Sequence, residues 1–331
     1  MKFNNSKSKE FFKKCLQKIR LRYLAHKDIK RFSKSAALSI YDATFDQLSS
    51  RIMYNVHAIE KGLSREHHFR KGFGRKALST LNDCLLIYEE QNYSKDMFAY
   101  KQGRSIILRY IDKHKAMNED TSFLSEIIVP AFLQEDSQFK FAGVKTVFLD
   151  DKKNNKNKNF YELSQNRASV RDFSGEAVDS KLVLSAIKNA LKTPSVCNRQ
   201  GWKVYLTENK TLIKDILYFQ KGFNGYPKLP EILLTVCVSN SSFLSPVERN
   251  EAFVDGGLLS MSIIYGLEYE GLACVTLNAM MDSKSEKQIR KIVEIDSSEQ
   301  VILFIAIGQF KDKVTVPVSD RKSLEDVVKI I

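Results

Sequence analysis

The amino-acid sequence predicts an α+β protein in which an all-α N-terminal domain precedes a domain of mixed helices and strands. Residues 1–140 carry apolar side chains at three- and four-residue intervals and lack strand-like alternation. A polar run, DDKKNNKNKN, follows Leu149, and beyond it short apolar runs alternate with helical patterns. These observations predict a helical domain at residues 1–147, a linker at 148–160 and an α+β domain at 161–331.

The N-terminal segment is strongly basic. Residues 1–31 hold eleven Lys or Arg against Glu10 and Asp28, a net charge of +9. Apolar residues recur there near helical spacing, which indicates a basic amphipathic helix. Two interpretations remain open: a solvated face of a helix that packs on the protein, and a peripheral contact with an anionic membrane surface. A nucleic-acid partner is not expected. Further helices are predicted at residues 45–61, 75–91 and 102–114.

Composition excludes several classes of protein. The longest apolar runs, at residues 232–238 and 301–307, are too short to span a bilayer and fit buried strands. The N-terminus lacks the continuous apolar region of a secretory signal. The five cysteines are odd in number, widely spaced and without a C-x-x-C pair, so they predict free thiols and a cytoplasmic location.

The second half alternates helices and strands. Asp179 or Ser180 can cap a helix that must stop before Pro194. Strands are predicted at residues 202–207, 232–238 and 301–307. A long apolar helix at residues 253–269 is expected to end at Gly271, which can adopt the left-handed conformation of a helix C-terminus.

Two polar segments in this half carry the candidate chemistry. In the sequence NRASVRDF, extended backbone would bring Arg167, Ser169 and Arg171 to one side, where two guanidinium groups and a hydroxyl suit a phosphate monoester. The competing interpretation is the solvated face of a strand. Further on, TPSVCNRQGW places Ser, Asn and Gln side chains between a helix and a strand. Such a loop suits the donor and acceptor edge of a planar heterocycle.

The order of these motifs resembles the FMN-dependent nitroreductase family. The resemblance runs from about Tyr161 to Val328. It implies a mainly antiparallel sheet flanked by helices, and a homodimer with FMN at its interface. The helix at residues 253–269 is the expected dimer contact, because its apolar surface is broad for a single packing partner. The positions that match cofactor-binding residues of the family are Arg167, Ala168, Ser169, Arg171, Pro194, Ser195, Asn198, Gln200, Leu277, Asn278 and Arg321.

The resemblance implies a flavin oxidoreductase. Two electrons would pass from NAD(P)H through flavin N5 to a small-molecule acceptor, either a nitroaromatic or quinone or a biosynthetic intermediate, with no dedicated catalytic side chain. The alternative is a catalytically silent binding or assembly protein of the same fold, linked to surface-polysaccharide synthesis. The sequence lacks a Rossmann glycine motif or a phosphate-binding P-loop.

Three further features leave alternatives open. Gly201 and Ser262 stand where the family has Pro and Asn, so we expect a looser loop and a weaker contact from the long helix. Phe219, Phe223 and Tyr226 either face a substrate or belong to the core. His57, Glu60, His67 and His68 could form a metal site, but without Cys ligands or further carboxylates at recognisable spacing no metal is expected.

Overall fold

The computed structural model describes residues 2–66, 69–134, 139 and 141–331, with side chains from residue 8 onward. The helices are α1 (Lys2–Ser35), α2 (Phe45–Leu63), α3 (Arg75–Glu90), α4 (Phe98–Ala116), α5 (Pro130–Leu133), α6 (Phe160–Asn166), α7 (Ser180–Ala190), α8 (Lys210–Gln220), α9 (Glu251–Tyr269) and α10 (Ser283–Val293). The strands are β1 (Val144–Phe148), β2 (Trp202–Thr207), β3 (Ile232–Ser239), β4 (Ala273–Asn278), β5 (Glu299–Gly308) and β6 (Lys313–Pro317). The predicted α+β class, with a helical N-terminal region, is confirmed.

The chain forms two compact units. The mixed unit consists of Met1–Lys34 and Phe148–Val314, and the helical unit consists of Ser35–Val147 and Thr315–Ile331. Each unit therefore combines segments that are distant in sequence. The predicted domain boundaries at residues 147 and 161 stay a prediction.

The mixed unit is built on a four-stranded antiparallel sheet with the strand order β2-β3-β5-β4. The three predicted strands are confirmed as β2, β3 and β5, whereas β4 was not predicted. Seven of the eight positions of β3 are buried, because both faces of this central strand are covered. Strands β2 and β4 are the two edges of this sheet.

Helices α7 and α9 pack on one face of the sheet. Gly266 on α9 allows the close approach, since an added Cβ would lie 2.9 Å from the carbonyl oxygen of Ala186 on α7. Asp179 caps α7 by accepting a hydrogen bond from Lys181 N at 2.9 Å, and Gly271 follows α9 with a φ of +74°. Both predicted helix ends are therefore confirmed. The shared core includes Val183, Ala186, Ala190, Leu234, Val236, Leu259, Ile263, Leu267, Ile305 and Ile307.

The segment predicted as a linker contains buried polar residues. Lys152 and Asn155 lie in or between two short 3-10 turns and are buried to 2% and 1% exposure. Lys152 Nζ contacts Glu268 Oε1 at 2.5 Å, and Asn155 Nδ2 donates to the Glu268 carbonyl at 2.6 Å. These contacts attach the segment to the C-terminal turn of α9.

The helical unit has its own core between α2, α3 and α4. The three predicted helices of this region are confirmed, with shifts at their ends. Gln47 Oε1 accepts a hydrogen bond from Thr44 N at 2.8 Å and fixes the start of α2. The largest buried side chains of this core include Leu48, Ile52, Ile59, Leu78, Leu81, Leu85, Tyr88, Ile106 and Tyr110.

The basic N-terminal segment is helical, as predicted, and forms α1 of the mixed unit. Its Asp28 pairs with Arg249 at 2.5 Å, and this hydrogen bond holds the pKa of the Asp28 carboxyl below its usual value. Most of its described side chains are exposed. Among the described helices, none combines the length and the apolar character that a membrane crossing requires.

Candidate functional site

Residues 167–171, here called the arginine segment, run in extended conformation beside β4. Ser169 forms a parallel bridge with Cys274, and Val170 N donates to the Cys274 carbonyl at 2.9 Å. Ala168 and Val170 are buried, whereas the intervening Arg167, Ser169 and Arg171 are partly exposed. The predicted alternation is therefore present, and the two arginines and the serine share one side. Arg167 Nη1 donates to Ser169 Oγ at 3.4 Å.

Polar contacts hold the backbone on both sides of the arginine segment. Lys152 Nζ donates to the carbonyl of Asn166, the residue before the segment. Lys311 pairs with Asp172 at 2.6 Å immediately after it. Burial raises the pKa of the Cys274 thiol to about 12, so this side chain stays neutral beside the segment. The backbone of the segment is thus fixed at both ends.

The end of β4 lies on the same edge of the sheet. Leu277 is three residues beyond Cys274, which places it about 10 Å further along the strand. It is buried at 4% exposure, whereas Asn278 is exposed. The Asn278 carbonyl accepts from Gln220 Nε2 at 2.9 Å, and its Oδ1 accepts from Met280 N at 3.0 Å. Leu277 and Asn278 therefore belong to the same strand as Cys274, which pairs with the arginine segment.

Residues 194–200, here called the proline loop, are held in an unusual backbone conformation. Cys197, Asn198 and Gln200 have φ values of +49°, +55° and +51°. Such left-handed conformations cost energy in residues other than glycine and persist where the surroundings enforce them. Ser195 Oγ accepts from Gln200 N at 3.0 Å, and Gln200 Nε2 donates to Asn198 Oδ1 at 3.1 Å. These bonds leave Asn198 and Gln200 exposed on the surface.

Neighbouring elements fix the proline loop. The Asp255 carboxylate on α9 accepts from Val196 N at 3.1 Å, and the Asp255 carbonyl accepts from Trp202 Nε1 at 3.1 Å. Arg199 donates to both carboxylate oxygens of Glu248, at 3.0 and 3.2 Å. The Arg199 hydrogen bond lowers the pKa of the Glu248 carboxyl. A paired, bidentate geometry of this kind restricts both side chains.

The two departures from the family pattern also take part in this support. Gly201 accepts a hydrogen bond from Ser239 N at 2.7 Å, and a Cβ at Gly201 would overlap Ser242. The glycine thus allows a close contact, and the expected loosening of the loop is not seen. Ser262 on α9 accepts from Thr193 Oγ1 at 2.6 Å, so it joins the loop entrance to the helix.

The arginine segment and the proline loop lie at opposite edges of the sheet. The loop leads into β2, and the arginine segment lies outside β4. Four strand spacings separate them, roughly 19 Å across the sheet. The two segments also lie at different positions along the strands. Cys274 pairs with Ile307, which pairs with Ile232 at the start of β3, whereas Trp202 pairs with Val238 near the end of β3. The two segments are therefore well separated within one copy of the chain.

Arg321 belongs to the helical unit. Its side chain is exposed, and its Nη1 donates to the Ser319 carbonyl. In the same unit, Asp320 Oδ2 accepts from Gln102 Nε2 and from Ala142 N, each at 2.9 Å. The contact between Arg321 and the cofactor phosphate stays a prediction.

The aromatic residues after α8 have different environments. Phe223 is buried and stacks on Phe173 with ring centroids 5.9 Å apart. Tyr226 packs on Phe223 at 5.4 Å. Phe219 contacts the exposed Tyr218 edge-on. The core interpretation is therefore correct for Phe223, whereas Phe219 and Tyr226 are partly exposed.

The cluster around His57 has a structural explanation. His57 Nδ1 lies 3.9 Å from Glu60 Oε2, and Glu60 Oε1 accepts from Gly143 N at 3.0 Å. His67 and His68 lie outside the described residues. Within the described part of the chain, no three His, Cys, Asp or Glu side chains are grouped as metal ligands.

Three supporting residues were not singled out from the sequence as parts of the site. Asp255 had a usable signal, since it is a lone carboxylate in the apolar run that forms α9. Lys152 and Glu268 had none, because Lys152 belongs to a polar run and Glu268 to a helix end. Their pairing depends on the tertiary fold.

Comparison with known proteins addresses the second half of the chain. The nitroreductase family model matches residues 165–226, a range that contains both the arginine segment and the proline loop. An iodotyrosine dehalogenase 1 homolog of Caenorhabditis elegans is 25% identical over 199 residues. The match covers 52% of this chain and 61% of that relative, so the chain spans less than two thirds of the relative's length.

Solved structures give similar matches. A nitroreductase with bound FMN from Desulfitobacterium hafniense is 18% identical with a TM-score of 0.40, and the match covers 52% of this chain and 97% of that one. A nitroreductase family protein from Streptococcus pneumoniae is 18% identical with a TM-score of 0.43, covering 52% and 100%. The similarity to the nitroreductase family model thus lies within the C-terminal half of this chain, at residues 165–226.

Proposed function

We propose that this protein is an FMN-dependent oxidoreductase that passes two electrons from NAD(P)H to a small-molecule acceptor. The observation that carries the proposal is the arginine segment inside the family match. It presents Arg167, Ser169 and Arg171 on one side of an extended backbone whose other side is buried. Two guanidinium groups around a hydroxyl are the donor set that a phosphate monoester requires, so these residues fit FMN.

In the proposal, the arginine segment and the proline loop are two half-sites with different roles in binding FMN. The arginine segment binds the phosphate and ribityl chain and brings positive charge to the pyrimidine edge of the ring, while Leu277 and Asn278 approach the ring from β4. The proline loop supplies Ser195, Asn198 and Gln200 as hydrogen-bonding groups. Bound FMN supplies the hydride chemistry, accepting a hydride from NAD(P)H and donating it onward. The protein provides orientation and a positively charged environment, which favours the anionic reduced ring.

The proposal requires a homodimer. Because the two half-sites lie at opposite edges of one sheet, a complete site needs the proline loop of a second copy. Helix α9 offers the contact surface, since its N-terminal half exposes apolar side chains next to the proline loop. These are Phe253 at 52%, Val254 at 52%, Leu258 at 46% and Met261 at 36% exposure. A symmetric pair of copies would bury this face against itself.

For the electron acceptor, we propose chemical classes rather than one compound. The relative named as an iodotyrosine dehalogenase homolog adds halogenated aromatics to the nitroaromatic, quinone and biosynthetic candidates. All of these are small molecules that can stack on a flavin and take up two electrons. A panel of one compound from each class, assayed with NADH and with NADPH, would rank the candidates.

Purification of the full chain tests the cofactor. We expect a yellow protein with flavin absorbance that bleaches anaerobically on addition of NADH or NADPH. Arg171→Ala should raise the dissociation constant of FMN by about tenfold or more, because a hydrogen bond to a charged group contributes roughly 1.5–3 kcal/mol. Arg20→Ala removes an exposed guanidinium from α1 and serves as the matched control.

Two outcomes would contradict the proposal. A colourless protein that takes up no added FMN would favour the catalytically silent alternative. FMN binding that is equally tight in Arg171→Ala, Arg167→Ala and the wild type would show that the arginine segment is not the phosphate site. Arg321→Ala, measured in the same titration, tests the remaining predicted phosphate contact.

A further inference from the structure

Helix α1 carries an exposed apolar stripe. Phe12, Leu16, Ile19 and Tyr23 are 64%, 52%, 63% and 57% exposed. Their spacing of four, three and four residues aligns them on one face of the helix over three turns. Exposing four large apolar side chains in a row costs free energy in water, so the stripe is expected to have a partner.

The stripe points away from the mixed unit. On the other side of α1, Gln17, Leu24 and Asp28 are half-buried. They are seven and four residues apart, so they share one face of the helix. Asp28 joins that side to Arg249 through the ion pair at 2.5 Å. The helix is therefore held by one face, and the apolar stripe is left on the outer one.

Basic residues border the stripe on both sides. One border holds Lys9, Lys13, Arg20 and Lys27, and the other holds Arg22. All five are exposed, whereas Lys18 lines the groove between α1 and Phe243. Long basic side chains can extend along an apolar surface while their charged ends reach toward water or anions. An apolar stripe between two basic borders is typical of a helix that lies in the interface of an anionic bilayer.

We propose that α1 binds the protein to the surface of an anionic lipid bilayer, with the stripe inserted between the lipids and the basic borders on their headgroups. Charge complementarity selects this partner over the others. A second copy of α1 would bring the same cations together, which is unfavourable. A nucleic acid would use the cations and leave the apolar stripe in water. The proposal does not depend on the reaction catalysed by the mixed unit.

Vesicle sedimentation with the full-length protein tests the proposal. We expect binding to mixed phosphatidylglycerol and phosphatidylcholine vesicles, weakened by added salt, and no binding to phosphatidylcholine alone. The double variant Leu16→Ser with Ile19→Ser should lower the partition coefficient at least about tenfold, because two apolar side chains no longer enter the lipid. Replacing Lys9, Lys13 and Lys27 by Gln should lower it by about a hundredfold.

Matched variants separate the stripe from general effects. Ile29→Ser with Phe32→Ser removes two exposed apolar side chains of α1 that lie off the stripe, and should bind like the wild type. Replacing the exposed Lys181, Lys188 and Lys192 by Gln makes the same change in net charge elsewhere. Circular dichroism checks that α1 stays helical in each variant.

Three results would overturn the proposal. The wild type could fail to bind anionic vesicles, or bind neutral ones equally well. The stripe variant could bind as tightly as the off-stripe control. Finally, the stripe variant could change the oligomeric state while the wild type ignores lipid, which would identify a second copy as the partner of α1.

Discussion

The buried pair of Lys152 and Glu268 links the predicted linker to the candidate site. Their side chains are 1% and 2% exposed, and Lys152 also donates to the carbonyl that precedes Arg167. Burying two charges costs desolvation energy, and only a close pairing with further hydrogen bonds offsets that cost. Lys152 therefore has two roles, neutralising Glu268 and holding the arginine segment in place.

Removing Lys152 should destabilise the protein strongly. In Lys152→Ala the Glu268 carboxylate stays buried without its counter-ion, so we expect the free energy of unfolding to fall by about 3–5 kcal/mol. The neighbouring Lys153→Ala is the control, because Lys153 pairs with Asp150 at an exposed position and its loss should cost about 1 kcal/mol or less. Urea denaturation measures both values. Equal effects of the two substitutions would show that the buried pair contributes no more than an exposed one.

Among single residues, the sequence predicted the alternation of the arginine segment better than the contacts that support it. The alternation of Arg167, Ser169 and Arg171 follows from extended backbone, a local property. Lys152 could not be identified in the same way, because a lysine in a run of Lys and Asn has no local sign of burial. Its environment is created by Glu268, more than a hundred residues away.

Among the elements, the proline loop is held in part by a titratable contact. Hydrogen bonds from Arg199 lower the pKa of Glu248 from its ordinary value of 4.5. A carboxyl whose pKa is lower in the folded state adds stability above its unfolded pKa. That contribution is lost as the pH falls through the lowered folded value. The loop should therefore loosen in acid below about pH 4.5.

Trp202 reports this loosening because it is the single tryptophan of the chain and follows the loop directly. We expect its fluorescence to shift to the red in acid, at a pH where far-ultraviolet circular dichroism is still native. Glu248→Gln should reduce the transition, since a neutral amide does not titrate. Glu286→Gln, which removes the i,i+4 partner of Arg290 on α10, should retain it. An unchanged transition in Glu248→Gln would assign the pH dependence to another group.

Helices and strands were predicted correctly where their own sequence carries a clear apolar pattern. Helix α9 and strands β3 and β5 were predicted, because long apolar runs identify buried elements wherever they pack. Strand β4, with the sequence ACVTLN, was not, since a short edge strand mixes polar and apolar residues. Helix α10 was not predicted either: Ser285 and Ile289 are its two buried residues, so its apolar face is narrow.

For the whole molecule, the sheet order determines what a single copy can do. With β2 and β4 as opposite edges, the arginine segment and the proline loop cannot meet within one chain. Sequence order alone gives no such information, because both segments lie close together in the primary structure, at residues 167–171 and 194–200. Strands β3, β5 and β4 lie between the arginine segment and β2, which the proline loop enters. A complete flavin site is therefore expected to depend on association of two copies.

Breaking the dimer should consequently remove the cofactor. Leu258→Glu places a charge in the exposed apolar face of α9. We expect the dissociation constant of the proposed dimer to rise at least about thirtyfold, because loss of a central interface residue typically costs about 2 kcal/mol or more. Leu184→Glu makes the same change on α7, at a site that is 54% exposed but outside that face, and should remain dimeric. Analytical ultracentrifugation with flavin absorbance detection measures mass and cofactor in one experiment. Because each half-site is proposed to bind only part of FMN, the monomeric variant should sediment without flavin absorbance. A monomer that retains stoichiometric FMN would instead show that one chain forms the whole site.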